Sequence, residues 1–550
     1  MLFKIRKNHW IIILIVSFAY LLPMFITGGV TYYSQQDAHF HMARIVGLSN
    51  VFDSPVNYLT FNKTGVLVNE FYPWLTVLPM SVLYQLTDNF IFSYWMYYFG
   101  LTILTMVICY KSFQSVKPEW AQSNAPLVFA TLYTLSSYRT ADILTRAAVG
   151  EAITLTFLPI LFAGVYHVIS GNYKKWYWIS IAMALIAYSH MVTLILVVTV
   201  MGVMLLTSFY YWQDRYIRLW SLIKATLLTI GLTLFITVPF IEQRMFQPIH
   251  IPESRALYGQ SIPAYVGKTA INLLHGTVLG PLLILGLVIV IWKWRSLTKE
   301  QCYLLVLTVT LIIGMTSLVP WGEISKTTLG GALTQIQFLW RYNGIITLFL
   351  AYLITIVTYK INWPQRWTFK QKYTVAVIGM LSVQLGGMAV DYYIDNPVKL
   401  TNKQIEKKAT NLDEHRDYWP KSVINKRDDV NNHIVDVSDE NVEVESRATA
   451  SKYYVIVRNK TDDSQSIELP VFSYKGQEIR LNNHLVDKNS DKREGITKVV
   501  VPAGNSKIEI TTKYTPIAKA SAGATVIAWL ILVVQLCLLH SKKRRENTRI

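Results

Sequence analysis

The chain has 550 residues, of which 52% are hydrophobic and 16% are charged, and its formal net charge is +18. A soluble protein of this length would carry more charge and divide into several domains. The apolar residues instead come in blocks of about 15–22, the length at which a helix crosses the hydrocarbon of a membrane. The basic residues stand mainly at the ends of these blocks, which favours a lipid bilayer over nucleic acid as the partner.

The sequence lacks the motifs of several enzyme classes. It has no P-loop, no Rossmann glycine fingerprint, no G-x-S-x-G and no H-E-x-x-H. Its three cysteines, Cys109, Cys302 and Cys537, lie in or beside apolar blocks, which indicates neither a disulfide framework nor a metal cluster. Nucleotides are therefore not expected to power this protein.

The first apolar block follows a basic N-terminus. Lys4, Arg6 and Lys7 precede an apolar run from Trp10 to Ile26, and no small-x-small cleavage site follows it. We therefore predict a retained first span rather than a cleaved signal peptide. Because basic residues favour the cytoplasmic side, the N-terminus is predicted to be cytoplasmic.

Basic clusters between the later blocks set the predicted topology. The positive-inside rule assigns them to the cytoplasm, which predicts about 12 spans and a cytoplasmic C-terminus. Alternation then puts the other connections outside, namely roughly 29–72, 139–150, 241–270, 318–341 and 391–516, before a last block of about 519–539.

One stretch conflicts with this alternation. Residues 73–87 and 90–110 are both apolar, and two full spans there would move Arg139–Glu151 to the cytoplasmic side. If residues 73–87 form a re-entrant or interfacial helix instead of a full span, Arg139–Glu151 returns to the outer side. A different division of the block 178–209, where His190 interrupts the apolar run, has the same effect.

Residues 391–516 hold no block long enough to span. Short runs of alternating apolar and polar residues, separated by turn signals, predict antiparallel strands there. The predicted fold is a mostly α polytopic helix bundle over 1–390, a small extracytoplasmic β-sandwich over 391–516, and a final transmembrane helix with a basic tail over 517–550. The runs are Tyr453–Arg458, Ser466–Phe472, Lys498–Pro502 and Lys507–Thr512.

The first candidate site segment directly follows the first span. Asp37, His41 and Arg44 recur at helical spacing and can share a face, whereas His39 points elsewhere. A carboxylate here can accept a proton from a hydroxyl, or ligate a divalent cation together with His39 and His41. The alternative is that Asp37 only caps a helix.

Two later outer segments concentrate further charge. Arg139, Asp142, Arg146 and Glu151 lie between two apolar blocks, and arginines can bind phosphate oxygens in a bidentate way. The alternative is an ordinary charged loop with internal ion pairs. In the third segment, Gln337 and Arg341 precede a span of about 343–359; an outer arginine runs against the positive-inside preference, unless it only snorkels to the interface.

These segments, together with Phe71-Tyr72-Pro73-Trp74-Leu75, resemble the bacterial membrane proteins labelled pyruvoyl-tetrahydropterin-synthase-related and the YfhO-type proteins. Both groups are similar to GT-C glycosyltransferases. The resemblance covers residues 1–540 and depends on the order and spacing of short motifs. Trp74 stands where the family usually has a second proline, and Leu339 where a proline is common.

The resemblance implies a bacterial cell-membrane enzyme that moves a sugar from a polyprenyl-phosphate carrier to a cell-surface polymer hydroxyl on the outer face. It implies Asp37 as the catalytic base, with no certain cofactor beyond a possible divalent metal ion. The remaining expected substrate- and phosphate-binding residues are His41, Arg44, Arg139, Asp142, Arg146, Glu151, Gln337 and Arg341.

Other functions stay open at this point. A surface-polysaccharide polymerase or ligase would use the same kind of donor but transfer a whole oligosaccharide. A transporter or flippase of lipid-linked glycans would need charged groups deep in the bundle rather than at one face. A scaffold that binds cell-wall polymer would not need clustered aspartate and arginine in short outer loops.

Overall fold

Long apolar helices dominate the computed structural model, which describes residues 4–27, 30–32, 37–252, 254–361, 367–396, 398–412, 416–437, 439–487 and 495–547. Within these ranges, eight helices are long and apolar enough to cross a membrane, which is consistent with a multi-pass membrane protein. They are Lys7–Phe25, Phe90–Val116, Val149–Ile169, Met191–Tyr211, Arg215–Phe246, Leu339–Lys360, Phe369–Ile394 and Pro516–Leu539.

The α-helices, numbered in chain order, are α1 Lys7–Thr27, α2 Ala38–Gly47, α3 Val68–Phe71, α4 Leu78–Thr87, α5 Phe90–Val116, α6 Ala125–Thr134, α7 Ser137–Thr140, α8 Val149–Ile169, α9 Tyr177–Ala187, α10 Met191–Ser208, α11 Arg215–Phe246, α12 Ile262–Ala270, α13 Pro281–Trp292, α14 Lys299–Gly314, α15 Trp321–Ile324, α16 Thr328–Leu333, α17 Asn343–Lys360, α18 Phe369–Asp395, α19 Asn402–Thr410, α20 Arg427–Asn431 and α21 Pro516–Asn547. The strands are β1 Val30–Tyr32, β2 Val398–Leu400, β3 Asp436–Val437, β4 Val442–Ala448, β5 Lys452–Asn459, β6 Gln465–Phe472, β7 Gln477–Leu481, β8 His484–Asp487, β9 Ile496–Val501 and β10 Gly504–Thr512.

The chain divides into two compact units. The first comprises residues 1–41, 83–222 and 253–404, and the second comprises 42–82, 223–252 and 405–550. The predicted division at 390 and 516 did not anticipate that 42–82 and 223–252 group with the C-terminal residues. Sequence patterns report local periodicity, so they do not show which distant segments pack together.

The structure shows how the two stretches that make the span count ambiguous, 73–110 and 178–209, are folded. Helix α4 has ten residues, or about 15 Å of rise, against a hydrocarbon thickness of about 30 Å. The block 178–209 divides into α9 and α10, and the side chain of His190 caps α10 by accepting from the backbone N–H of Thr193. His190 therefore starts α10, three residues after α9 ends at Ala187.

Polar contacts fix the ends of the first unit's helices. Nδ1 of His9 lies 2.8 Å from the hydroxyl of Tyr110, and its Nε2 lies 3.0 Å from Oδ1 of Asn124. These contacts join the start of α1 to the end of α5 and the start of α6. Towards the other end of α1, the hydroxyl of Tyr20 donates to Oγ1 of Thr140 at 3.2 Å. This second contact holds α1 beside the 137–151 segment, which carries the candidate site.

The second unit contains two antiparallel sheets. One has five strands in the order β4-β5-β10-β7-β8, and the other has three in the order β3-β6-β9. The predicted strands correspond to β5, β6, β9 and β10. In β5, alternate residues Tyr453, Val455 and Val457 are buried, which is the period-two pattern that predicted the strand.

Glu70 in α3 is a buried carboxyl inside this second unit. Its Oε2 accepts from Nε2 of Gln243 at 3.0 Å. Burial raises the pKa of Glu70 to about 7, the Gln243 hydrogen bond opposes the rise, and Glu242 adds to it. The folded state therefore holds a proton that the unfolded state has lost between pH 4.5 and 7, so stability falls as pH rises through this window.

We predict that Glu70→Gln leaves thermal stability nearly unchanged at pH 5 and raises it at pH 8, by up to about 3 kcal/mol, because a neutral amide avoids the cost of a buried charge. Unfolding of the purified protein followed at both pH values measures this. Glu443→Gln, an exposed residue of β4, is the matched control. Parallel pH profiles for both variants would contradict the prediction.

Candidate active site

The 137–151 segment builds a buried cluster of charges in the first unit. Nη1 of Arg146 donates to Oδ1 of Asp142 at 2.5 Å and to Oε2 of Glu151 at 3.4 Å. The hydroxyl of Tyr138 donates to Oε1 of Glu151. Arg146, Asp142 and Glu151 are all at least 95% buried. The internal ion pairs expected for this segment are therefore present, but inside the protein rather than in solvent.

The local backbone explains how these side chains meet. After α7, residues Ala141–Thr145 form one turn of π-helix, in which Arg146 N donates to Ala141 O at 2.7 Å. Ala147 then takes a positive φ of 51°, which turns the chain into α8. Turns of π-helix are rare and occur often at functional sites. This one ends at Arg146, whose side chain reaches both Asp142 and Glu151.

The 337–341 segment joins the same cluster. Nη1 of Arg341 donates to Ile336 O at 2.7 Å and to Oε1 of Gln337 at 2.9 Å. Its Nε lies 3.9 Å from Oε2 of Glu151, an ion pair between segments nearly 200 residues apart in sequence. Gln337 has a positive φ of 64°, a strained conformation for a residue other than glycine. Strain of this kind is typical of functional sites.

Aromatic rings enclose the two arginines. The guanidinium of Arg146 lies 4.4 Å from the ring centroid of Trp340, and that of Arg341 lies 5.3 Å from Phe338. Tyr138 packs on Trp340 with centroids 6.4 Å apart. Cation–π contacts hold the guanidinium planes without using their N–H donors.

Several donors of this cluster have no partner among the described residues. Nε and Nη2 of Arg146 make no hydrogen bond there, nor do Nε and Nη2 of Arg341. Oδ2 of Asp142 is also buried without a partner in the same ranges. Because buried polar groups are nearly always paired, unused donors of two adjacent arginines indicate a site for an anionic ligand.

Burial and neighbouring charges shift the pKa values of Asp142 and Arg146. Burial, followed by the negative charge of Glu151, raises the pKa of Asp142 well above its usual value, against the opposing effect of Arg146. For Arg146, burial would lower the pKa, but the nearby Asp142 and Glu151 raise it, so this guanidinium stays charged. With Asp142 disposed to hold a proton, the carboxylates of Glu151 and Asp37 are the negative charges that face Arg146 and Arg341.

Asp37 directly precedes α2 and lies within electrostatic range of this cluster. Its backbone oxygen accepts from His41 N at 3.1 Å at the start of α2, and its side chain is exposed. The carboxylate is close enough to act electrostatically on both Asp142 and Arg146.

The histidines and arginine that follow Asp37 are placed differently. His39 and His41 are buried, and His41 meets the ring of Phe40 edge-on. Arg44 belongs to the second unit, where it donates to Pro73 O at 2.6 Å and lies 3.8 Å over the ring of Tyr72. Through these contacts the guanidinium of Arg44 packs against residues of its own unit, and the structure does not bring it to the Glu151 cluster.

Arg139 lies near the cluster in sequence, but its side chain turns away from it. Its guanidinium donates to Thr134 O at 3.3 Å and to the hydroxyls of Thr102 and Thr105 at 3.2 and 3.3 Å. No carboxylate of the described residues lies within 4 Å of it. The helical turn that carries Arg139 points it at α5, whereas Arg146 points into the cluster. The structure therefore brings Arg146 and Arg341, but not Arg139, to the carboxylate of Glu151.

No group of three or more His, Cys, Asp or Glu side chains is placed to hold a metal ion in the part of the chain that the structure describes. The suggested metal site at Asp37, His39 and His41 accordingly receives no support from the geometry, and we derive no step through a metal.

Sequence patterns missed one buried acid–histidine pair at the site end of α18. Oδ2 of Asp391 accepts from the backbone N–H of His275 at 2.8 Å, and its Oδ1 lies 3.1 Å from Nδ1 of the same residue. Asp391 is fully buried. The sequence feature that could have identified Asp391 is its position as an aspartate at the end of an apolar block. Tyr138 and Trp340 carried no comparable signal, because aromatic residues at membrane boundaries are common.

We predict that Glu151→Gln destabilises the protein by about 3–5 kcal/mol, because it removes the carboxylate that faces two buried arginines. Asp142→Asn removes a carboxyl whose raised pKa already favours its neutral form, and should cost about 1 kcal/mol or less. Thermal unfolding of both variants at pH 7 compares the two losses. Equal losses would show that the two carboxyls carry equal charge in the folded state.

Comparisons with models of protein families, with curated proteins and with solved structures found no match for this chain. The function is therefore argued from the chemistry of the site itself.

Proposed function

We propose that this protein is an integral membrane glycosyltransferase that moves a sugar from a polyprenyl-phosphate carrier to a hydroxyl of a cell-surface acceptor on the outer face. One observation carries the proposal: Arg146 and Arg341 have guanidinium donors unused among the described residues, beside the exposed carboxylate of Asp37. This combination offers an anion site and a base together.

In the proposed reaction, Asp37 acts as the base, and Arg146 and Arg341 stabilise the leaving phosphate. The acceptor hydroxyl loses its proton to the carboxylate of Asp37, and its oxygen bonds to the anomeric carbon of the donor sugar. The bond between that carbon and the phosphate oxygen breaks, and the phosphate leaves with the electron pair. Arg146 and Arg341 would neutralise the departing phosphate through charge-assisted hydrogen bonds. Glu151 and Gln337 would orient the two guanidiniums.

A lipid-linked donor suits a membrane protein without a nucleotide motif. A polyprenyl phosphate keeps its chain in hydrocarbon and its phosphate at the interface. Arg341 precedes α17 directly, so its guanidinium would lie near the boundary of a span. The leaving group would therefore stay where the arginines are, and the acceptor would arrive from the aqueous side.

The proposed topology has twelve crossings. The eight long helices would cross together with α9, α13, α14 and the stretch from α6 through α7 to Thr145, which keeps both termini in the cytoplasm. The cluster would then face outward in a bacterial cell membrane, and the two sheets would form a sandwich outside it. The basic run Lys542–Arg545 in the last turns of α21 supports this orientation.

A second candidate function is a flippase of lipid-linked glycans, and the environment of Arg139 favours it. Arg139 is a fully buried cation among the helices, paired only with neutral oxygens within the described ranges. Buried charge of this kind often marks a transport path. A flippase has no hydroxyl to deprotonate, so its rate would not depend on Asp37. A polysaccharide polymerase or ligase would use the same base with a larger transferred group.

We predict that Asp37→Asn lowers sugar incorporation into cell-surface polymer about 10²- to 10⁴-fold, the usual contribution of a general base. Asp53→Asn is the matched control, because Asp53 is also an exposed aspartate but lies outside the cluster. Protein abundance is measured for each variant. Full incorporation by Asp37→Asn at normal abundance would remove Asp37 as the base and favour the flippase.

For the anion site, Arg341→Ala should weaken the binding of polyprenyl phosphate by roughly tenfold to a hundredfold, because one or more charge-assisted hydrogen bonds are lost. Arg341→Lys should restore little, since a lysine lacks the planar fork of donors. Arg244→Ala removes an exposed arginine elsewhere and should leave binding unchanged. Equal affinities for the Arg341→Ala and Arg244→Ala proteins would exclude the phosphate role.

A further inference from the structure

A large apolar cleft lies at the other end of α17 from Arg341. It has a volume of about 1160 Å³ and opens between α6, α17 and α18. This exceeds the roughly 300–1,000 Å³ of most small-molecule sites. Its walls are mainly aliphatic and aromatic, including Val128, Leu132, Ile354, Val375, Ala376 and Met380.

The cleft is built from helices that suit a membrane. α17 and α18 are long and apolar enough to span, and α6 is a shorter apolar helix. Trp367 and Phe369 line the rim, and their side chains are 51% and 36% exposed. Aromatic residues in such positions mark the boundary between hydrocarbon and headgroups. The interior of the cleft would therefore face acyl chains, and its rim would face headgroups.

The rim carries positive charge and an unused donor. Lys372 and Tyr359 line it, and the hydroxyl of Tyr359 is buried without a hydrogen-bond partner among the described residues. Arg6 donates from Nη1 to Oδ1 of Asn124, another rim residue, at 3.0 Å. Arg6 is also close enough to act electrostatically on Tyr359. Two cations and a hydroxyl thus surround one end of an apolar cleft.

We propose that this cleft binds an anionic glycerophospholipid, with its acyl chains between α6, α17 and α18 and its phosphate between Arg6 and Lys372. The hydroxyl of Tyr359 donates to a headgroup oxygen. The aliphatic walls select a chain-bearing ligand, and the two cations select a negative headgroup. This site lies at the opposite end of the bundle from the cluster of Arg146 and Arg341, and it does not rest on the proposed glycosyltransferase activity.

The test uses the full-length protein, purified in detergent and stripped of lipid. Phosphatidylglycerol and phosphatidylcholine are added separately, and bound lipid is counted by native mass spectrometry at increasing lipid concentration. We expect phosphatidylglycerol to bind more tightly. The double variant Arg6→Gln, Lys372→Gln should lose roughly thirtyfold of this affinity and bind both lipids alike. Arg295→Gln, Lys299→Gln removes an exposed arginine and an exposed lysine elsewhere and should keep the preference.

A second pair of variants tests the cleft itself. Ala376→Phe fills it and should abolish tight binding of both lipids. Gly386→Phe adds the same ring to α18 at a position with open space around it, and should bind lipid like the unmodified protein. Equal binding of both lipids by the unmodified protein would overturn the headgroup assignment. Equal lipid occupancy in the Ala376→Phe and Gly386→Phe proteins would overturn the site.

Discussion

The carboxylate of Glu151 is the contact on which the candidate site depends. It accepts from Tyr138 and faces Arg146 and Arg341, so a single buried anion joins the start of α8 to a segment nearly 200 residues later. Burying two guanidiniums costs several kcal/mol each unless a counter-charge is near. Glu151 supplies that charge but does not use every donor. The same ion pairing that stabilises the site therefore leaves it able to bind an anion.

The backbone around Glu151 makes this arrangement possible. A turn of π-helix ends at Arg146, Ala147 adopts a positive φ, and Gln337 does the same before Arg341. Each departure from regular structure re-aims one long side chain. The aromatic rings of Trp340 and Phe338 then hold the guanidinium planes. Rigid cations with unused donors are what a leaving phosphate requires, since they stabilise charge without rearranging.

Arg139 and Arg146 carry the same charge, but their hydrogen-bond partners differ. Both are nearly inaccessible to solvent. Arg146 has carboxylate partners and unused donors, whereas Arg139 spends its donors on the neutral oxygens of Thr102, Thr105 and Thr134. Seven residues amount to about two helical turns, which would place both side chains on one face of a regular helix. The π-turn at Ala141–Thr145 breaks that regularity.

The sequence by itself determined the elements that local chemistry fixes. Apolar length set the long helices, because backbone groups in hydrocarbon must pair within a helix. Period-two alternation set the strands around Tyr453–Arg458, and charge in short segments between apolar blocks marked Asp37, Arg146 and Arg341 as candidates. A sequence pattern has no information on distance between segments. Only the tertiary structure decided that Asp37 comes within electrostatic range of Arg146, that Arg341 faces Glu151, and that Arg44 and Arg139 turn elsewhere, because these outcomes depend on packing and on strained turns that carry no periodic signal.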